Sequence, residues 1–156
     1  MSEAAATEVK QAEFNIEKLY VKDLSVEVPH APSIFLERES PQVDMQLHTE
    51  NSAIGEGVYE VTVTATLTAK LSVQDKIMFL IEAKQAGIFH VKNLPAAEIE
   101  SVLGVVCPNI LFPYLREVVT DVSVRSGFAP VLLNPINFEA LYQQQKDQAA
   151  AAATKH

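Results

Sequence analysis

The chain has 156 residues, 48% of them hydrophobic, with 20 acidic against 12 basic side chains and a formal charge of −8. One domain of this size can bury a real core, and an acidic balance with no basic stripe argues against nucleic acid as a partner. Cys107 stands alone, no apolar run approaches the ~18 to 20 residues of a bilayer span, and the start MSEAAATEVKQAEF has no basic or apolar signal region, so a soluble protein of the reducing cytoplasm, with no direct membrane insertion, is expected.

Residues 1–13 are polar, without a sustained apolar stripe, and read as a disordered arm. Alternation begins at Phe14, with Phe14, Ile16, Tyr20, Leu24, Val26 and Val28 on one face and Asn15, Glu17, Asp23, Ser25 and Glu27 on the other. Leu19 and Val21 fall on the polar side while Lys18 and Lys22 fall on the apolar one, which predicts a bulge, a strong twist or burial on both faces mid-strand. Pro29, Pro32 and Pro41 make His30 to Ser40 a stiffened crossover loop, too long to be idle. Val43, Met45 and Leu47 start a second strand, and the turn ENSAIGEG leads to a third. In that third strand Tyr59, Val61, Val63, Ala65, Leu67 and Ala69 alternate with threonines. A fourth strand, Ile77 to Lys84, has Phe79 and Ile81 on one side and Leu80 and Glu82 on the other, and Gly87 is expected to end the sheet.

Two hairpins join strands two to four, and the crossover returns strand one beside strand four, a Greek-key arrangement. Asn93 and Pro95 open a short helix carrying Ile99, Val102 and Leu103. Leu115, Val118, Val119 and Val122 recur at i, i+3, i+4 and i+7, opposite Arg116, Glu117, Thr120, Asp121 and Ser123, so a long amphipathic helix follows, closed by Arg125 and Gly127. Pro108 and Pro113 leave its start open between a separate first turn and a kinked extension. A C-terminal helix starts near Asn134 or Asn137 and gathers Phe138, Leu141 and Tyr142. The remainder, QQQKDQAAAAATKH, has helix propensity but no apolar stripe and should fray. The fold class is therefore α+β: a four-stranded antiparallel Greek-key sheet with a long crossover loop, packed by three helices. A helix of about fourteen residues spans ~21 Å against a sheet of roughly 40 Å. Such a helix leaves apolar sheet for other subunits or partners to cover.

Catalytic signatures are missing. Pro108 follows Cys107 directly, the four histidines lack metal-ligand spacing, and the five glycines are isolated, so neither a nucleophile, a zinc site nor a phosphate loop is expected, and no cofactor. Asp23 and Glu27, about 13 Å apart along one strand, are too distant to act as a general acid–base pair.

The run CPNILFPYLRE, the Arg125 and Gly127 helix end, and NPINFEALY, with FNIEKLYVKDLSVEVPHAP, VYEVTVTATLTA and QAGIF upstream, resemble the SecB family of bacterial protein-export chaperones. The likeness covers Phe14 to Tyr142, implying a chaperone domain at 14–142 between the arm and a flexible tail at 143–156. It implies an ATP-independent holdase, not an enzyme, that keeps precursor proteins unfolded and delivers them to the SecA motor, working as a homotetramer, a dimer of dimers. Carried onto this sequence, the SecA-docking positions are Asp23, Glu27, Leu80 and Glu82, and Phe35, Leu36, Val43, Met45, Leu47, Leu94, Leu133 and Phe138 could line the client groove. Two departures stand out: Glu39 occupies a crossover-loop position where the family carries tryptophan, and the tail, often acidic in the family, is alanine-rich here. From the residues alone, the rival reading is a β-sheet module that binds a small apolar ligand.

Overall fold

The computed structural model describes residues 10–154 and contains a single antiparallel sheet; most of the expected N-terminal arm and the last two residues lie outside the described range. Its strands are β1 (Glu13–Glu27), β2 (Gln42–Gly55), β3 (Val58–Leu71) and β4 (Lys76–Lys92), in the order β1-β4-β3-β2. That is the expected Greek key, with the crossover loop, including a short 3-10 turn at Ser33–Leu36, carrying the chain from one edge to the other.

Alternation decides which face is packed. On β3, Val61, Val63, Ala65, Leu67, Ala69 and Leu71 are fully buried against the helical layer, beside Phe79, Ile81, Ala83 and Phe89 of β4. Strand β4 does not stop at Gly87 but runs on to Lys92, paired with β1 and β3 beyond it; the glycine serves close packing, since a Cβ there would lie 2.9 Å from both Leu19 and Phe89.

Strand β1 carries two bulges, between Ile16 and Lys18 and between Val21 and Asp23. Each extra residue resets the parity, so Leu19 and Val21 face the helices along with Leu24 and Val26. Tyr20, expected on the apolar face, sits instead on the outer one, where its hydroxyl donates to Glu60.

Helices α1 (Ala96–Ser101) and α2 (Cys107–Arg125) are joined by a wide π turn at Val102–Val106 into one helical run. In this turn the Cys107 amide donates to the Val102 carbonyl, and the next residue, Pro108, has no amide to donate, so the gap that this proline leaves in the hydrogen-bond ladder falls at the wide turn. Pro113 lies inside α2 without ending it. The 30-residue run Ala96–Arg125 is, by length and composition, apolar enough to cross a membrane, which its short segments in the sequence did not suggest. Its apolar stripe, Leu103, Cys107, Leu111, Leu115, Val119 and Val122, is buried on β3 and β4, as in the core helix of a globular domain. The sheet is left uncovered in width rather than length: Phe14, Ile16, Val21, Leu24 and Val26 on the inner face of β1 remain 38–47% exposed. Helix α3 (Phe138–Ala153) starts at Asn137, whose side chain accepts from the Ala140 amide at 3.0 Å, and only its first turns pack on the domain.

Candidate functional site

An open cavity of about 600 Å³ lies on the helix side of the sheet, between the crossover loop, β2, the start of β4 and the segment after α2. Phe79 forms its floor. Phe128 packs on Phe79 with ring centroids 4.6 Å apart and stacks on Phe35 at 5.2 Å, so three aromatic rings from three segments form one continuous apolar surface. The wall over α2 is held by polar side chains on that helix: Thr120 Oγ1 donates to the Val131 carbonyl at 2.7 Å, and Ser123 Oγ accepts from the Val131 amide at 3.0 Å. Ser123 is completely buried, which its assignment to the polar stripe did not anticipate, because its hydroxyl is satisfied by backbone on both sides. At the mouth, Glu39 Oε1 accepts from the Val73 amide and Glu37 Oε2 from Gln74, so the crossover loop is tied to the β3–β4 turn.

Of the expected groove residues, Phe35, Val43, Met45 and Leu133 line this cavity. Leu36 is 77% exposed and lies beside it, and Leu47 and Leu94 are half-buried against the core outside it. Phe138 is buried edge-on against Phe112, a core residue rather than a lining one. Met78, Phe79, Phe128, Val131 and Leu132 line the cavity and were missed; Leu132, 73% exposed in the loop after Pro130, offered no periodic signal.

The outer face is polar and acidic. Glu27 lies opposite Leu80, Ser25 opposite Glu82, and Asp23 opposite Lys84 along the β1–β4 ladder. Asp23 and Glu27 are exposed, Leu80 and Glu82 half-buried, and a shallow hollow of about 230 Å³ opens between Glu27, Leu80, Glu82 and Thr66. None of the three carboxylates is in an ion pair among the described residues. Beside this row, Glu60 binds Lys22 Nζ at 2.6 Å and also the Tyr20 hydroxyl. Lys22, and then Tyr20, hold the Glu60 carboxyl below its ordinary value, while burial and then the same hydrogen bond push the Tyr20 phenol up to about 12.

Cys107 is completely buried, and burial pushes its thiol up to about 12, so it is no nucleophile. Among the described residues no three His, Cys, Asp or Glu side chains converge as a metal site would require.

Residues 7–149 match the family model described as preprotein translocase subunit SecB. The chain belongs to the SecB family. It is 60% identical over 143 residues to the protein-export protein SecB of Nitrosomonas eutropha, covering 92% of this chain and 89% of that one. To its counterpart in Methylobacillus flagellatus it is 56% identical over 156 residues, covering 99% and 98%. The fold is shared, at a TM-score of 0.65 and 17% identity over 79% of this chain and 90% of the other, with a SecB-like chaperone of Mycobacterium tuberculosis solved in complex with a ChAD peptide from an antitoxin. The family is one of export chaperones, not enzymes, and the chain shares that general role.

Proposed function

We propose that this chaperone holds unfolded precursor polypeptides in the cavity between Phe35, Phe128 and β2, without ATP, and delivers them in the cytoplasm to the SecA motor through the outer-face row of Asp23, Glu27, Leu80 and Glu82. The observation that carries the reading is the pairing of an open apolar cavity on one face with, on the other, an acidic row that forms no ion pair among the described residues. Apolar burial and backbone pairing tolerate many sequences, which suits a holder of varied clients. Carboxylates flanking a half-buried leucine suit a basic protein surface, the charges setting approach and Leu80 supplying the desolvated contact.

The reading includes assembly into a homotetramer. Exposed apolar side chains on β1, together with Tyr114 at 49% and Val124 at 52% on α2, are surface that subunit contacts would bury. Light scattering at micromolar concentration is expected to give a mass of about four chains.

The test is a variant with Asp23→Lys, Glu27→Lys and Glu82→Lys. Surface charges contribute typically under ~1 kcal/mol each to folding, so the variant should stay folded and assembled and still co-elute with an unfolded precursor. Facing a basic surface, the same changes should cost several kcal/mol of SecA affinity, about a hundredfold or more by calorimetry. Unchanged SecA binding by the folded variant removes the row from the mechanism. Co-elution with lipid but not with precursor would remove the chaperone groove.

A further inference from the structure

Val21 and Leu24 both face the helices although they are three residues apart, so β1 must gain one residue between them, and either Lys22 or Asp23 could be the extra one. In the structure Asp23 pairs with Lys84 and Lys22 is the bulged residue. The alternative would set Lys22 against Lys84, two like charges directly opposed, and would put a lysine where the docking row has its first carboxylate.

Glu60 touches one of these two candidates, Lys22, and Tyr20 just before it. Its Oε1 binds Lys22 Nζ at 2.6 Å and its Oε2 accepts from the Tyr20 hydroxyl, so one carboxylate on β3 reaches across β4 to grip both β1 side chains. Ala86, which lies opposite Tyr20 on one side and Thr62 on the other, is fully buried and short enough to let them meet. We propose that Glu60 is a positioning residue for partner docking: by binding Tyr20 and Lys22 together it selects Lys22 as the bulge of β1 and keeps Asp23 in the acidic row. This rests on the docking role given to that row, while the register claim stands on its own.

The test compares Glu60→Ala with Glu60→Gln. Both remove the same charge, but the glutamine keeps an acceptor oxygen for the β1 side chains. Register is read from the disulfide yield of Asp23→Cys paired with Lys84→Cys, added to each background, since directly opposed residues are within bridging distance. Glu60→Ala should fold and capture an unfolded precursor as the parent does, lose about tenfold in SecA affinity, and lower the disulfide yield, with Glu60→Gln recovering most of both. Equal SecA affinity for the two variants would make the effect one of charge alone and overturn the proposal, as would an undiminished disulfide yield in Glu60→Ala. Should Glu60→Ala not fold, Tyr20→Phe with Lys22→Met removes the same bonds from the other side and is read against the same two outcomes. If the triple lysine variant keeps its SecA affinity, the docking reading fails, and the disulfide yield judges the register claim by itself.

Discussion

Phe79 and Leu80, neighbours on β4, point to opposite faces of the sheet: Phe79 floors the apolar cavity under Phe128, and Leu80 lies opposite Glu27 in the acidic row. One strand thus separates the two proposed binding surfaces by the thickness of a single sheet. A client in the cavity and a partner on the acidic row need not compete for space.

The Phe35–Phe128–Phe79 stack should hold the crossover loop in place. Phe128 is only half-buried, so Phe128→Ala is expected to cost on the order of 2 kcal/mol, less than a fully buried phenylalanine. Amide exchange across Ser33–Leu36 should quicken in the same variant. Urea denaturation and exchange mass spectrometry measure both, and a destabilised variant with unchanged exchange at the 3-10 turn would show that the loop is held by other contacts.

Leu132 at 73% exposure and Val43 at 38% line the cavity while contributing little to the core. Replacing both by serine should leave the denaturation midpoint nearly unchanged, within about 1 kcal/mol, and weaken capture of an unfolded precursor several-fold. Full capture by a folded double variant would move the client elsewhere.

The sheet was readable from the sequence because each strand alternates cleanly where it is packed on one side: Val61 to Leu71 showed the inner face of β3 without ambiguity. Tyr20 was misplaced for a physical reason. A bulge leaves no composition signal of its own, only a conflict of parity, and Leu19, Val21 and Lys22 showed the conflict without showing which residues would turn. The acidic row was legible because Asp23 and Glu27 lie beyond that bulge, within one regular stretch. Much of the cavity wall was not, since residues 128–133 follow the shape of α2 through Thr120 and Ser123 rather than any period of their own. Leu47 and Phe138, offered for the groove on the family resemblance, lie outside this cavity: Leu47 packs half-buried against the core and Phe138 is buried within it.

Gly104 lies in the π turn with the Tyr142 ring against it; an added Cβ would come within 2.6 Å of Cδ2. An alanine in a helix ordinarily gains up to about 1 kcal/mol over glycine, whereas overpacking costs about 1–3. Gly104→Ala is therefore expected to destabilise, and combining it with Tyr142→Ala should return the alanine to a net gain. A double-mutant cycle measures the reversal, and additive effects would mean the ring simply moves aside.

The Tyr20 phenol is raised from its ordinary value of 10 to about 12 in the folded chain. A raised value means stability that is fully present below about pH 10 and lost as pH rises through about 12, because the unfolded phenol ionises first. The urea midpoint of the parent, relative to Tyr20→Phe, should fall across that window. A constant difference between the two would show that neither burial nor the Glu60 hydrogen bond raises the phenol in the folded chain.

Whether both faces work at once is settled most directly by titrating SecA, without nucleotide, into the chaperone already saturated with a labelled unfolded precursor, and following the mass of the complex by light scattering. The separation of Phe79 from Leu80 across the sheet predicts a ternary complex in which the precursor stays bound while SecA saturates. Stoichiometric release of the precursor as SecA binds, or failure of SecA to bind the loaded chaperone, would contradict it.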